Sequence, residues 1–186
     1  MLIRDVHGMV TSATLLIPLA VIFILFILTD VRHHHVTAAR VVFELALCVY
    51  LWLLFDMTLF PINISGDAET LAAGGYTLQG AIATRPLALW YNWQQPGSLY
   101  QIVGNGLMLA PLTMMVGGLL LRFRRLHAAL GLAFGTSLFI ECTQLIMNFY
   151  NLGDRTFDIN DLILNTIGGL IGWLVLKAGL AIWQRV

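Results

Sequence analysis

Between residues 141 and 169 a largely apolar chain gathers Glu141, Gln144, Asn148, Arg155, Asp158, Asp161 and Asn165 within one hairpin's length. Glu141, Gln144 and Asn148 are three and four residues apart, the spacing that puts them on one helical face. Asp161 and Asn165 repeat it. Carboxylates and amides so arranged can hold a polar ligand by hydrogen bonds. They can also ligate a hard cation through oxygen, with water and a substrate phosphate completing its shell. A buried carboxyl among them could act as a general base. Arg155 adds a planar guanidinium that can grip a carboxylate or a phosphate through two parallel hydrogen bonds. Its expected partner is Glu141 or Asp158, closing the hairpin, or an anionic headgroup or sugar-phosphate arriving from outside; the two are compatible if Arg155 exchanges partners.

The elements that position these groups follow from composition. The chain has 186 residues, 59% hydrophobic and 11% charged, with a mean hydropathy of +0.82. Soluble domains carry roughly a quarter charged residues, so this surface is not built for water. The class expected is an all-α integral membrane protein. A spanning helix needs about 20 apolar residues, and five runs qualify: 8–29, 41–60, 100–121, 128–150 and 161–182. Pro18 falls in the first run as a tolerable kink, and Pro111 in the third. The first run is too long for a signal-peptide core, and no small-x-small cleavage site follows it. The segment 62–99 is the longest connection and is expected to lie partly on the membrane surface. Trp90, Tyr91 and Trp93 have the character of interfacial anchors.

Basic residues set the expected orientation. Arg32 and Arg40 follow the first run, Arg122, Arg124 and Arg125 follow the third, and Arg185 and Lys177 lie at the C-terminus. The alternate side has Arg4, Arg85 and Arg155. The positive-inside bias puts the N-terminus outside, the C-terminus in the cytoplasm, and the polar hairpin on the exterior.

Glu141 is then roughly 13 Å deep at 1.5 Å per residue, where an acidic group costs about 2.5–3.5 kcal/mol on insertion scales. It must be protonated, paired or facing a wet cavity, and it is a candidate functional residue. Asp158 is placed as an N-cap with Asp161 at the third helical position. Beneath Asn165, Gly168, Gly169 and Gly172 allow close helix approach. Gln101 and Asn105 in the third run and Asp56 in the second lie near the same outer end. Glu44 is too far away and is expected to pair with Arg40. "RHHHVTAAR" reads as a solvated loop, because adjacent histidines on a helix do not share a face. Cys48 and Cys142 read as small buried hydrophobes. A net charge of zero gives no pull toward nucleic acid, and no cofactor or metal motif stands out.

"IECTQL" followed by "DRTFDINDLILNTIGGLIGW" resembles the VanZ-like family over about residues 41–176. The family pattern is a Glu two residues before a Gln, an Arg followed by an acidic-rich turn, then Asp-Leu-Ile-x-Asn and a Gly-rich helix. Glu141, Gln144, Arg155, Asp158, Asp161, Asn165 and Gly168 match it, although Gln144 is the third residue after Glu141 rather than the second. "GNGLMLAPL", with Asn105 and Pro111, resembles the family's third span. "WYNWQQPG" matches only loosely. Residues 1–40 then form an extra first helix and loop, and 177–186 a cytoplasmic tail.

The resemblance implies a bacterial plasma-membrane protein tied to teicoplanin resistance at the cell envelope, without supplying a mechanism. The leading expectation is a non-enzymatic factor that binds a lipid-linked or glycan cell-wall ligand through Asn105, Glu141, Gln144, Arg155, Asp158, Asp161 and Asn165, affecting the antibiotic indirectly. The alternatives are an enzyme acting on a lipid-linked phosphate or sugar, and a lipid transporter, for which a homo-oligomer could form the path.

Overall fold

The computed structural model describes residues 9–64, 82–83, 85, 93–95, 97–150, 152–153 and 155–184. Its helices are α1 (Leu16–Arg32), α2 (Ala38–Leu59), α3 (Ser98–Met108), α4 (Ala110–Leu119), α5 (Leu126–Phe149) and α6 (Ile159–Trp183). A 3-10 turn, Ser12–Leu15, leads into α1. Two-residue strands β1 (Met9–Val10), β2 (Ile62–Asn63), β3 (Ile82–Ala83) and β4 (Phe157–Asp158) lie between them. Among the described residues five spans are long and apolar enough to cross a membrane, the third being α3 and α4 end to end.

The prolines shape two of these spans. Pro18 stands in the first turn of α1, where backbone N–H groups have no intrahelical acceptor. It therefore starts the helix rather than kinking its middle. Pro111 is the second residue of α4. Without an N–H, and with its ring against the carbonyl four residues back, it divides the third span at Leu109. The first span ends at Arg32, three residues beyond its expected end, because Asp30 is buried against Arg40 rather than solvated. His33, His34 and His35 are exposed in the link to α2. His34 has a φ of 56°, the left-handed conformation in which helices commonly stop.

Helix α6 is central, packed against α3, α4 and α5, while α2 packs on α1 and α4. Leu47, Leu54, Leu109, Leu112, Ala133 and Ile140 form the buried core. Leucine and isoleucine on α1 instead face outward, with Ile17 at 68% and Leu28 at 59% exposure. An apolar exterior of this kind suits lipid, where only backbone groups bonded within the helices are tolerated. Cys48 is buried as expected, but Cys142 is exposed on α5, and both are free.

Polar bonds join the spans where backbone carbonyls are within reach. Thr113 Oγ1 donates to Gly169 O at 2.8 Å, and Tyr50 Oη to Met108 O at 2.7 Å. Trp52 Nε1 donates to Ser12 O at 3.1 Å, tying α2 to the start of α1. At the far end of the bundle Arg124 donates to the carbonyls of Gly117 and Gly118, satisfying the last turn of α4. Trp173 Nε1 reaches Arg124 O, and Lys177 lies over the Trp173 ring.

The opposite end, where α6 begins, is held by backbone pairing. β1 and β2 pair antiparallel, with Val10 opposite Ile62. β3 and β4 pair parallel, with Ile82 opposite Phe157. Asn63 N donates to Leu152 O at 2.9 Å. The segments before α1, after α2, before α3 and before α6 therefore meet around one end.

Candidate functional site

Helix α6 begins at Ile159 because Asp158, with extended backbone, caps it. Asp158 Oδ1 accepts from Asn160 N at 2.8 Å and from Asn160 Nδ2 at 2.7 Å. Asp161 follows in the first turn, where a carboxylate meets the positive end of the helix dipole. The cap is held in turn from α5. Glu141, only 2% exposed, accepts the backbone N–H of Asp158 on Oε2 at 2.8 Å. A carboxylate accepting a backbone N–H is among the stronger hydrogen-bond types, and here it fixes the entry of α6 onto α5. Asp158→Ala is expected to lower the unfolding free energy of the solubilised protein by about 1 kcal/mol, the usual cost of a lost cap. Asp158→Asn should recover most of it in the same denaturation measurement.

Helix α3 supplies the next layer. Gln101 and Asn105, one turn apart, donate to Asp161 Oδ1 at 3.3 and 2.5 Å. Asn160 Nδ2 also donates to Arg85 O at 3.1 Å, which brings the segment near β3 over the cap. One turn deeper, Asn165 is buried and its Nδ2 donates to Ser137 Oγ of α5 at 2.9 Å. Gln144 Nε2 donates to Thr58 O at 2.9 Å, linking α5 to α2.

These bonds distribute the candidate residues between two tasks. Glu141, Asp158, Asp161, Gln101 and Asn105 meet at the start of α6, with Asn165 one turn below. Gln144 is turned toward α2 and is engaged with its backbone. Arg155 departs from the expected ion pair. Its guanidinium donates to Met57 O at 3.2 Å, and its carbonyl accepts from Asn148 Nδ2. It pairs with neither Glu141 nor Asp158 and remains exposed. The physical reason is that the Asp158 backbone N–H has taken Glu141, while Asp158 itself is occupied by its cap. Asp56 is half-buried, and among the described residues its side chain makes no hydrogen bond to the cluster. Trp93 is 55% exposed; Trp90 and Tyr91 lie outside the described residues.

Asn160, Ser137 and Thr58 complete the arrangement without having been singled out from sequence. Asn160 is 5% exposed and Ser137 is fully buried. Their one available signal was polarity inside an apolar run. Glu44, at the far end, accepts from Arg40 Nε at 3.3 Å as expected. Asp30 of α1 joins the same guanidinium.

Chemically, the start of α6 presents carboxylates held by amides and backbone N–H groups, walled by three spans. A family model described as VanZ/LLP1 matches residues 43–183, a stretch that contains the whole cluster and leaves α1 outside. No curated protein and no solved structure matches the chain.

Proposed function

We propose that this chain, which belongs to the VanZ/LLP1 family and is a multi-pass membrane protein, is an envelope factor of the bacterial plasma membrane that lowers susceptibility to teicoplanin-type glycopeptides. It does so by binding a lipid-linked or glycan ligand at the polar start of α6. The basic residues Arg32, Arg40, Arg122, Arg124 and Arg125 all lie at the end away from that cluster. By the positive-inside rule the cluster then opens outward, on the side where cell-wall precursors and glycopeptides meet.

The observation that carries this reading is the convergence of Asp161 and Glu141. They come from two spans and are fixed by Gln101 and Asn105 of a third and by the Asp158 backbone at the cap of α6. Intramembrane carboxylates are expensive and generally mark a functional site. Glu141→Gln keeps an oxygen acceptor for the Asp158 N–H but removes the charge. Arg155→Ala removes the exposed guanidinium that reaches from the hairpin to the Met57 carbonyl. Each is expected to reduce teicoplanin tolerance to the level of cells lacking the protein, at unchanged membrane abundance. Wild-type tolerance in both variants would refute the proposal.

A further inference from the structure

We infer that the group taken by this polar cluster is a protonated amine, a deepening that rests on the ligand-binding reading above. Three carboxylates, Glu141, Asp158 and Asp161, meet at the start of α6, yet among the described residues the ion pairs found all involve Arg40 at the far end. Among the described residues, then, no ion pair neutralises the cluster, and the Arg155 guanidinium is engaged with the Met57 carbonyl. The cluster's neighbours add acceptors rather than charge. Asn160 is 95% buried, and its Oδ1 has no hydrogen-bond partner among the described residues. That amide cannot be turned to hide the defect: its Nδ2 faces the Asp158 carboxylate and the Arg85 carbonyl, which are both acceptors. A buried acceptor left unmade costs about 1–3 kcal/mol, so a donor belongs beside Asp158.

A phosphate or carboxylate would meet these acceptors as a like charge. An uncharged hydroxyl would satisfy the Asn160 oxygen but bring no positive charge to the carboxylates, whose present partners are neutral amide and backbone N–H donors. An ammonium supplies both a positive charge and several N–H donors. Asp158 and Asp161 are only partly buried and give the amine its way in, while Asn160 and Glu141 lie behind them. The amine can belong to a lipid headgroup or to an aminated glycan, since both present the same group.

The test uses the full chain in phosphatidylcholine nanodiscs, with thermal unfolding as the readout. Discs doped with phosphatidylethanolamine are compared with discs doped with its N-acetylated form or with phosphatidylglycerol. A further arm adds free glucosamine to undoped discs. Stabilisation by phosphatidylethanolamine, or by glucosamine if the source is a glycan, is expected, with apparent affinity at least about tenfold weaker for the acetylated lipid. Asp161→Asn and Asn160→Leu should each remove the stabilisation. Their unfolding in undoped discs shows whether either variant has merely failed to fold. Equal stabilisation by the acetylated lipid, or by phosphatidylglycerol alone, would overturn the amine while leaving a ligand site. No response to any probe, together with full teicoplanin tolerance in Glu141→Gln and Arg155→Ala cells, would overturn both.

Discussion

Gly172→Val is expected to prevent assembly of the bundle. A side chain at this position would overlap the Ala110 carbonyl oxygen and the Thr113 hydroxyl. The first is backbone at the start of α4, just where Pro111 fixes the path of the chain, and it cannot swing away as a flexible side chain would. The neighbouring positions are equally tight. A Cβ at Gly168 would lie 2.8 Å from Gly106 O, and one at Gly169 would overlap Ala133 of α5. In lipid, where apolar surface gains little by association, such close backbone approach is a principal source of helix packing. Overpacking a core typically costs about 1–3 kcal/mol and occasionally more. A collision with backbone on the central helix belongs to the upper end, against a total stability of about 5–15 kcal/mol. The expected result is loss of monodisperse protein after detergent extraction. Gly179→Ala, also on α6 but with nothing within 4 Å of a new Cβ, should be extracted normally and be no less stable, since Ala favours helix by about 1 kcal/mol over Gly.

This packing explains how much of the molecule could be read from residues alone. Spans are set by length and polarity, which are local properties. All five therefore emerged near their observed bounds, and the Gly168, Gly169 and Gly172 stripe marked the close face of α6. The break at Leu109 was written in Pro111, but whether a proline bends a span or divides it depends on what receives the freed carbonyls. The α5–α6 pairing and the Asp158 cap followed from short-range spacing. The partner of Glu141 did not. It is a backbone N–H, and backbone groups leave no mark in sequence. Arg155 was the obvious charge for that carboxylate, yet the hairpin carries it past α5 to the carbonyl of Met57. Asn160 was obscured by its neighbours, because between the capping Asp158 and the first-turn Asp161 it looks like ordinary helix-start polarity. Asp30 was hidden by the rule that a polar residue ends an apolar run. Its burial depends on Arg40, ten residues onward in the next helix.

That last contact predicts the second large effect. Arg40 Nε faces both Asp30 and Glu44, carboxylates that are 2% and 0% exposed. Among the described residues Glu44 Oε2 lacks a hydrogen-bond partner, while Asp30 Oδ2 is the oxygen paired with the guanidinium. One guanidinium therefore serves two buried acids, joining α1, outside the family match, to α2 inside it. Replacing a buried ion network by apolar groups can be neutral, but removing one partner leaves uncompensated charge and costs about 3–5 kcal/mol. Arg40→Met is expected to cost about that much in equilibrium unfolding of the solubilised protein. It preserves an unbranched apolar stem, so little of the loss is packing. The triple variant Arg40→Met, Asp30→Asn, Glu44→Gln has no charge left to strand and should recover more than half of the loss. If the triple variant were no more stable than Arg40→Met, the loss would lie in the stem's contacts and the buried charges would not be its cause. If Arg40→Met alone were neutral, the two carboxyls would already be satisfied without the arginine, and α1 would be held to α2 mainly by the Trp52 bond to Ser12 at the other end.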